Sequence, residues 1–294
     1  MIGEARLVKT LAFTCLALIA FAANSVLCRG ALGEQSIDAA SFTSIRLFAG
    51  ALVLFVITRL NHTGSRSTSR GNWPASVMLF TYAITFSFAY ISLDTGTGAL
   101  ILFGAVQITM ILVSFVRGNR LHLIEWLGVA LAFVGFVYLL MPEVSTPSLL
   151  GFVLMTIAGM AWGLYTLKGR GSAAPLMDTA YNFIRTLPLV GIVMLFSLPH
   201  AHFSTHGVVL AILSGGIASG IGYTLWYIAL GGLTATQAAV VQLFVPVIAA
   251  FGGVIFVAEP ITLRLTLAGL LILGGILLVV LGRYYFNQRA LRIK

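Results

Sequence analysis

Charge is scarce in this chain, and acidic charge scarcer still. Lys and Arg number 17 and Asp and Glu only 8 among 294 residues, 9% in all. A soluble domain carries roughly a quarter charged residues, so an ordinary globular protein is excluded. Cysteine is nearly absent. Cys15 and Cys28 fall on one predicted helix, ~20 Å apart at 1.5 Å per residue, too far for a disulfide. Enzyme signatures are missing too: there is no His-Glu-x-x-His, no Gly-x-Ser-x-Gly and no membrane aspartate pair, so the chain is read as no enzyme. No cofactor is expected. The histidines of the Pro199–His206 stretch lack carboxylate or cysteine support for a metal.

Apolar residues are abundant, 59% of the chain, with a mean hydropathy of +1.03. A spanning helix needs ~20 apolar residues. Ten such segments are predicted, over 8–28, 39–59, 73–93, 98–116, 124–141, 149–168, 178–198, 207–230, 236–257 and 263–283. The expected class is therefore an all-α membrane protein. Residues 1–22 imitate a signal peptide, with Arg6 and Lys9 ahead of an apolar run and Ala20-Phe21-Ala22 as a small-residue site. The segment has a partner in the second half of the chain, however, so it is read as the first span.

The net charge of +9 does not point to nucleic acid, because its placement follows topology. With the N-terminus inside, thirteen basic residues fall on inside ends and loops and only Arg29 and Arg264 outside. That is the positive-inside pattern. It places both termini in the cytoplasm, in a multi-pass protein of a bacterial inner membrane. The expected partners are a lipid bilayer and a small-molecule substrate, with no nucleic acid, and the chain is read as a monomer.

Positions about 140 residues apart match along most of the length. Arg29 pairs with Lys168, Arg46 with Arg185, Ala89 with Ala229, Ala99 with Ala239, Asn119 with Glu259 and Gly128 with Gly269. Each half, 1–143 and 144–294, holds five segments. Five is odd, so the halves enter the bilayer from opposite sides. Such inverted repeats build secondary transporters with a substrate site near midplane. Both halves run in the same order: a helix ending in a basic residue, a loop to Asp38 or Asp178, and a helix with an aromatic and an arginine. The fifth segments are punctuated by Gly128 and Gly135, and by Gly269, Gly274, Gly275 and Gly282. Gly216 and Gly220 stand i, i+4 in the eighth, spacings that let helices approach closely in lipid.

Two five-helix units, Ala258-Glu-Pro-Ile261 and the Gly269-Leu-Leu-Ile-Leu-Gly-Gly run resemble the EamA repeats of the drug/metabolite transporter superfamily. The resemblance covers essentially the whole chain and departs where Asn119 stands for Glu259. Within the superfamily the chain looks most like YddG-type exporters of aromatic amino acids. The resemblance implies alternating-access export of small metabolites, aromatic or bulky apolar amino acids first. A broad exporter of drugs and amphipathic solutes is the alternative, with an intramembrane enzyme or a channel as readings from other classes.

All eight carboxylates and five histidines sit at predicted helix ends or in loops. Without an embedded acid or imidazole, an embedded-carboxylate proton relay is disfavoured and a substrate of little net charge is favoured. Arg46 and Arg185 are the cations well inside segments, each ~10 Å from its helix start. They are candidate gate contacts or snorkelling cations, too far from midplane to bind substrate. Pro246 is a candidate gating kink. Glu259 before Pro260 is read as a helix start. Asn24, Gln107 and Gln242 are amides at depth, where facing lipid leaves their donors unsatisfied. Tyr82, Phe86 and Tyr90 recur at i, i+4, i+8 on one face of the third helix. With Trp162, Tyr165 and Tyr223 they are candidates to line a cavity that stacks a planar or apolar substrate.

Overall fold

The computed structural model describes residues 2–60, 69–118, 121–141, 147–169, 172–233 and 235–292. Asn119, and with it its pairing with Glu259, lies outside the described residues, as do Arg66, Arg120, Glu143, Arg170 and Lys294. The boundary between the sequence halves also falls outside them.

Apolar runs of this length have one local solution in lipid, a helix that satisfies its own backbone. The chain forms α1 (Ile2–Gly33), α2 (Ala39–Leu60), α3 (Trp73–Ala89), α4 (Thr95–Val116), α5 (Leu123–Leu140), α6 (Leu149–Gly169), α7 (Pro175–Ser197), α8 (Thr205–Leu230), α9 in two pieces (Ala235–Gln242 and Phe244–Val257) and α10 (Leu263–Arg292). Among the described residues nine helices are long and apolar enough to cross a membrane, and α3 is a shorter apolar helix. The ten expected segments are all present. The third stops at Ala89, not 93, in a turn where Ser92 and Leu93 donate to the Ala89 carbonyl.

Two helices are irregular at depth. The middle of α8, Leu213–Ile221, widens into a π-helix, a form often found at functional sites. α9 breaks at Leu243. The break follows from Pro246, which has no N–H for the Gln242 carbonyl four residues earlier.

The halves interleave. α5 packs on α10, α3 and α4 on α6, α2 on α7, and α1 on α8 and α9, so every leading helix pair joins one half to the other. The glycine stripes contribute at particular positions only. A Cβ on Gly128 or Gly275 would run into the backbone of the other, and one on Gly135 into α10. Gly269 and Gly274 have open space instead and face an apolar groove. In α8 the tightest approach is Gly215, where a Cβ would overlap the Arg46 carbonyl; Gly216 meets only Val53.

Hydrogen bonds gather the loops onto two faces. The proximal face holds residues 69–72 and 172–174, joined through Asp178, and by the alternation of the helices the start of α1 and the end of α10. The distal face holds the loops near 34–38, 90–94, 198–204 and 258–262. The two aspartates matched in the sequence take comparable places, each at a helix start and bonded to a loop of the other sequence half. Asp38 accepts from Ser41 N at the start of α2 and from His202 N in the other half's loop. Asp178, at the start of α7, accepts from Ser69 and Gly71 in the other half's loop and from Ser172 in its own.

Candidate functional site

A cavity of about 380 Å3 opens toward the proximal face between α3, α4, α6, α7, α8 and α9. Its outer part holds Asn72, Lys168, Asp178 and Asn182, and its inner part Gln107, Trp162, Tyr223 and Gln242. Beyond it a smaller space of about 50 Å3 lies between Asn24, Tyr82, Phe86 and Phe103. Trp162, Thr166, Tyr223, Trp226 and Gln242 line both, so the small space is the closed inner end of the larger.

Trp162 is the hub of an aromatic stack. Its ring lies 5.2 Å from Tyr223 at 22° and 5.3 Å from Tyr165 at 25°, with Tyr82 at 4.9 Å. Phe86 follows Tyr82 at 5.4 Å along α3, as the i, i+4 spacing requires. The amides flank the stack. Gln242 reaches the cavity from the break in α9, with Pro246 just beyond. Gln107 is buried in α4, and its Nε2 has no hydrogen-bond partner. Thr179 joins Tyr227 and Tyr165 on the α7 wall at 2.7 and 3.2 Å.

Arg46 closes the inner end from behind. It is 2% exposed, with its guanidinium 4.8 Å from the Phe86 ring centroid and 5.2 Å from that of Tyr82. Its Nη2 donates to the Tyr82 hydroxyl at 2.9 Å. Asn24 Nδ2 donates to the same oxygen at 3.2 Å, and Asn24 Oδ1 accepts from Ser214 in the π-helix at 2.5 Å. Arg46 itself lines neither space and meets the inner one only through Tyr82 and Phe86, which do line it. Arg185 differs. It donates to the Arg70 carbonyl in the α2–α3 loop, on the proximal side.

Two expected site residues fall elsewhere. Tyr90 is fully buried off both cavities; its hydroxyl donates to the Thr95 carbonyl at 3.3 Å and its ring sits on Gly98, pinning α3 to α4. Pro246 lines a separate apolar groove of about 530 Å3 between α4, α9 and α10. Its effect on the site is indirect, through the break that exposes Gln242. Sequence reading missed Phe21, Thr166, Thr179 and Asn182. The last two stand i, i+3 on α7, a weak polar stripe that was the available signal.

The distal face is closed by contacts between the halves. Arg29 at the end of α1 pairs with Glu259 at 2.8 Å and with Asp94 at 3.4 Å, and donates to the Tyr90 and Ile91 carbonyls. Glu259 also accepts from Thr95 N at 2.7 Å, capping α4. Ala258 makes this possible by taking a left-handed turn at φ 56°, which folds Glu259 back toward Arg29. The expectation that Glu259 and Pro260 start the tenth helix is corrected: α10 begins at Leu263, and Glu259 caps α4 of the other half instead. Burial and the Glu259 charge push the Asp94 carboxyl above its ordinary value, against the pull of Arg29. Burial pushes Asp38 the other way from its net shift: hydrogen bonds from Ser41 and His202 outweigh it and hold the carboxyl low.

Comparisons with known proteins agree with this architecture. Residues 149–281 match the EamA-like transporter family. An uncharacterized protein of Pseudomonas aeruginosa is 49% identical over 275 residues, 94% of this chain and 96% of that one. The uncharacterized transporter YoaV of Bacillus subtilis is 20% identical over 88% of this chain and 91% of its own. A probable amino-acid metabolite efflux pump of Escherichia coli is 23% identical over 70% of this chain and 77% of its own. One solved protein structure superposes with a TM-score of 0.62 at 18% identity, covering 91% of this chain and 96% of that one, a likeness of fold.

Proposed function

This chain belongs to the EamA-like transporter family of the drug/metabolite transporter superfamily, multi-pass membrane transporters and not enzymes, and from that premise we propose that it exports aromatic or bulky apolar amino acids by alternating access. The observation that carries the reading is the cavity itself. Its mouth is lined by Asn72, Lys168 and Asp178 of the proximal face, and its inner end is a stack of Tyr82, Trp162 and Tyr223 flanked by Asn24, Gln107 and Gln242. A planar side chain gains by stacking there, and the amides serve its polar groups. The resemblance to a relative named an amino-acid metabolite efflux pump supports the substrate class.

The direction follows from charge. The proximal face carries the basic ends and loops, so it is the cytoplasmic one under the positive-inside rule, and the membrane is a bacterial inner membrane. The described conformation is then inward-open, with the Arg29–Glu259 pair closing the outside. Export proceeds by loading from the cytoplasm, opening the distal contacts and closing the proximal ones. Proteoliposome counterflow with a panel of amino acids is the test. Saturable exchange of tryptophan and phenylalanine, with glycine inactive, is expected. Equal flux of all solutes without counterflow indicates a channel and overturns the reading.

A further inference from the structure

The buried Arg46 lacks an anion. Among the described residues the ion pairs are Arg29 with Asp94 and Glu259, and Arg283 with Glu125. Asp38 and Asp178 are tied to loops on the two faces, and Glu34 is exposed. No described carboxylate meets Arg46, and its Nη1 is buried without a partner. A cation held this way at depth in a membrane protein is costly unless something pairs with it.

The Tyr82 hydroxyl is in a matching condition. Its oxygen accepts twice, from Arg46 and from Asn24. A phenol has one proton to give, and neither bond uses it. Tyr82 and Asn24 both line the small inner space, which leaves the phenol's proton available to a ligand there. Polarisation by an adjacent cation makes such a hydrogen bond stronger. Asn24, itself held by Ser214, fixes the phenol's orientation.

We propose that the inner end is an anion subsite, in which Tyr82 donates to the carboxylate of the transported molecule and Arg46 supplies the compensating charge from behind. This rests on the transporter reading of the cavity and deepens it: the carboxylate is the obligate group, and the amino group is dispensable. The apolar body then lies along Trp162 toward the open mouth. The space of about 50 Å3 exceeds the ~10–15 Å3 that a single water needs on the same measure, leaving room for a carboxylate. The ammonium of an amino acid meets aromatic faces and no acid.

The test uses the purified full chain in detergent, with ligand-induced thermal stabilisation as the readout and three probes: 3-phenylpropionate, 2-phenylethylamine and 4-methylpentanoate. The two carboxylates are expected to stabilise the protein, the aromatic one at lower concentration, and the amine not to. Tyr82→Phe, which keeps the ring and the stack, is expected to weaken 3-phenylpropionate by ~10-fold or more, the scale of a lost hydrogen bond to a charged group. Arg46→Met is expected to weaken it further; should that variant fail to fold, Tyr82→Phe decides alone. Wild-type affinity for 3-phenylpropionate in Tyr82→Phe overturns the subsite. Binding of the amine but neither acid overturns it while leaving the aromatic cavity standing. Binding of the aliphatic acid alone keeps the subsite and removes the aromatic reading. No binding by any probe overturns both.

Discussion

Arg46 and Arg185 occupy matched positions in the two halves, yet they do different work. Arg46 lies buried against Tyr82 and Phe86 at the closed end of the cavity. Arg185 reaches a loop carbonyl near the open face. The two faces differ in the same sense: the distal one is sealed by Arg29, Glu259 and Asp38, while the proximal one admits a cavity. An inverted repeat supplies two copies of each feature in opposite orientation, and a state open to one side needs them in different environments. Sequence symmetry is therefore compatible with functional asymmetry at any moment of the cycle.

The largest expected effect comes from the backbone that carries Arg46. Gly215→Val places side-chain atoms where the Arg46 carbonyl lies, and overpacking of this kind costs ~1–3 kcal/mol or more. It should abolish the folded protein in detergent size-exclusion chromatography, whereas Gly216→Ala, facing only Val53, should be tolerated. Equal tolerance of both would show that α2 and α8 do not meet as described.

Next comes the arginine pair itself. Arg46→Ala should reduce transport by ~10-fold or more and Arg185→Ala by less than ~3-fold, because both guanidinium groups donate to neutral oxygens but such a bond is worth ~1.5–3 kcal/mol when buried and less where solvent screens it. Initial rates in proteoliposomes decide it. Equal losses would restore the symmetric gate reading.

The distal seal provides a third test. Glu259→Gln removes the ion pair to Arg29 and weakens the cap on α4. It should raise labelling of a cysteine placed at Ser25, which also lines the inner space, from the distal side by the ~10-fold that 1.4 kcal/mol represents, without lowering substrate affinity. Unchanged labelling would mean the pair is ornamental to closure.

The smallest effect is acid sensitivity. The Asp38 carboxyl is held low in the folded state, so its contribution is present above the ordinary carboxylate range and is lost as pH falls through the folded value. Melting temperature should drop on acidification below that range, and Asp38→Asn should flatten the drop slightly. Partial exposure keeps the change small.

Much of the fold was legible because hydrophobic length and period are local properties. Ten runs, their order and the shared face of Tyr82, Phe86 and Tyr90 can be read from the chain alone. The site was legible in part. Trp162, Tyr165, Tyr223, Gln107, Gln242 and Asn24 meet at one cavity, because large aromatics and amides at depth have few stable places to go. Tyr90 shares their pattern but ends on Gly98, a contact no periodicity announces.

The sequence by itself determined an all-helical membrane protein of ten apolar segments and the kinds of residue at its centre, since lipid leaves an apolar segment little choice but a helix. Only the tertiary structure decided which arginine is buried behind the cavity, which glycine takes a neighbouring backbone, and that Glu259 caps a helix of the opposite half. Those outcomes depend on contacts between different helices, from Arg46 with Tyr82, 36 residues on, to Glu259 with Thr95, 164 residues apart. The physical reason is that burial and partner are properties of the assembled halves, and identical local patterns end differently when one face is closed and the other open.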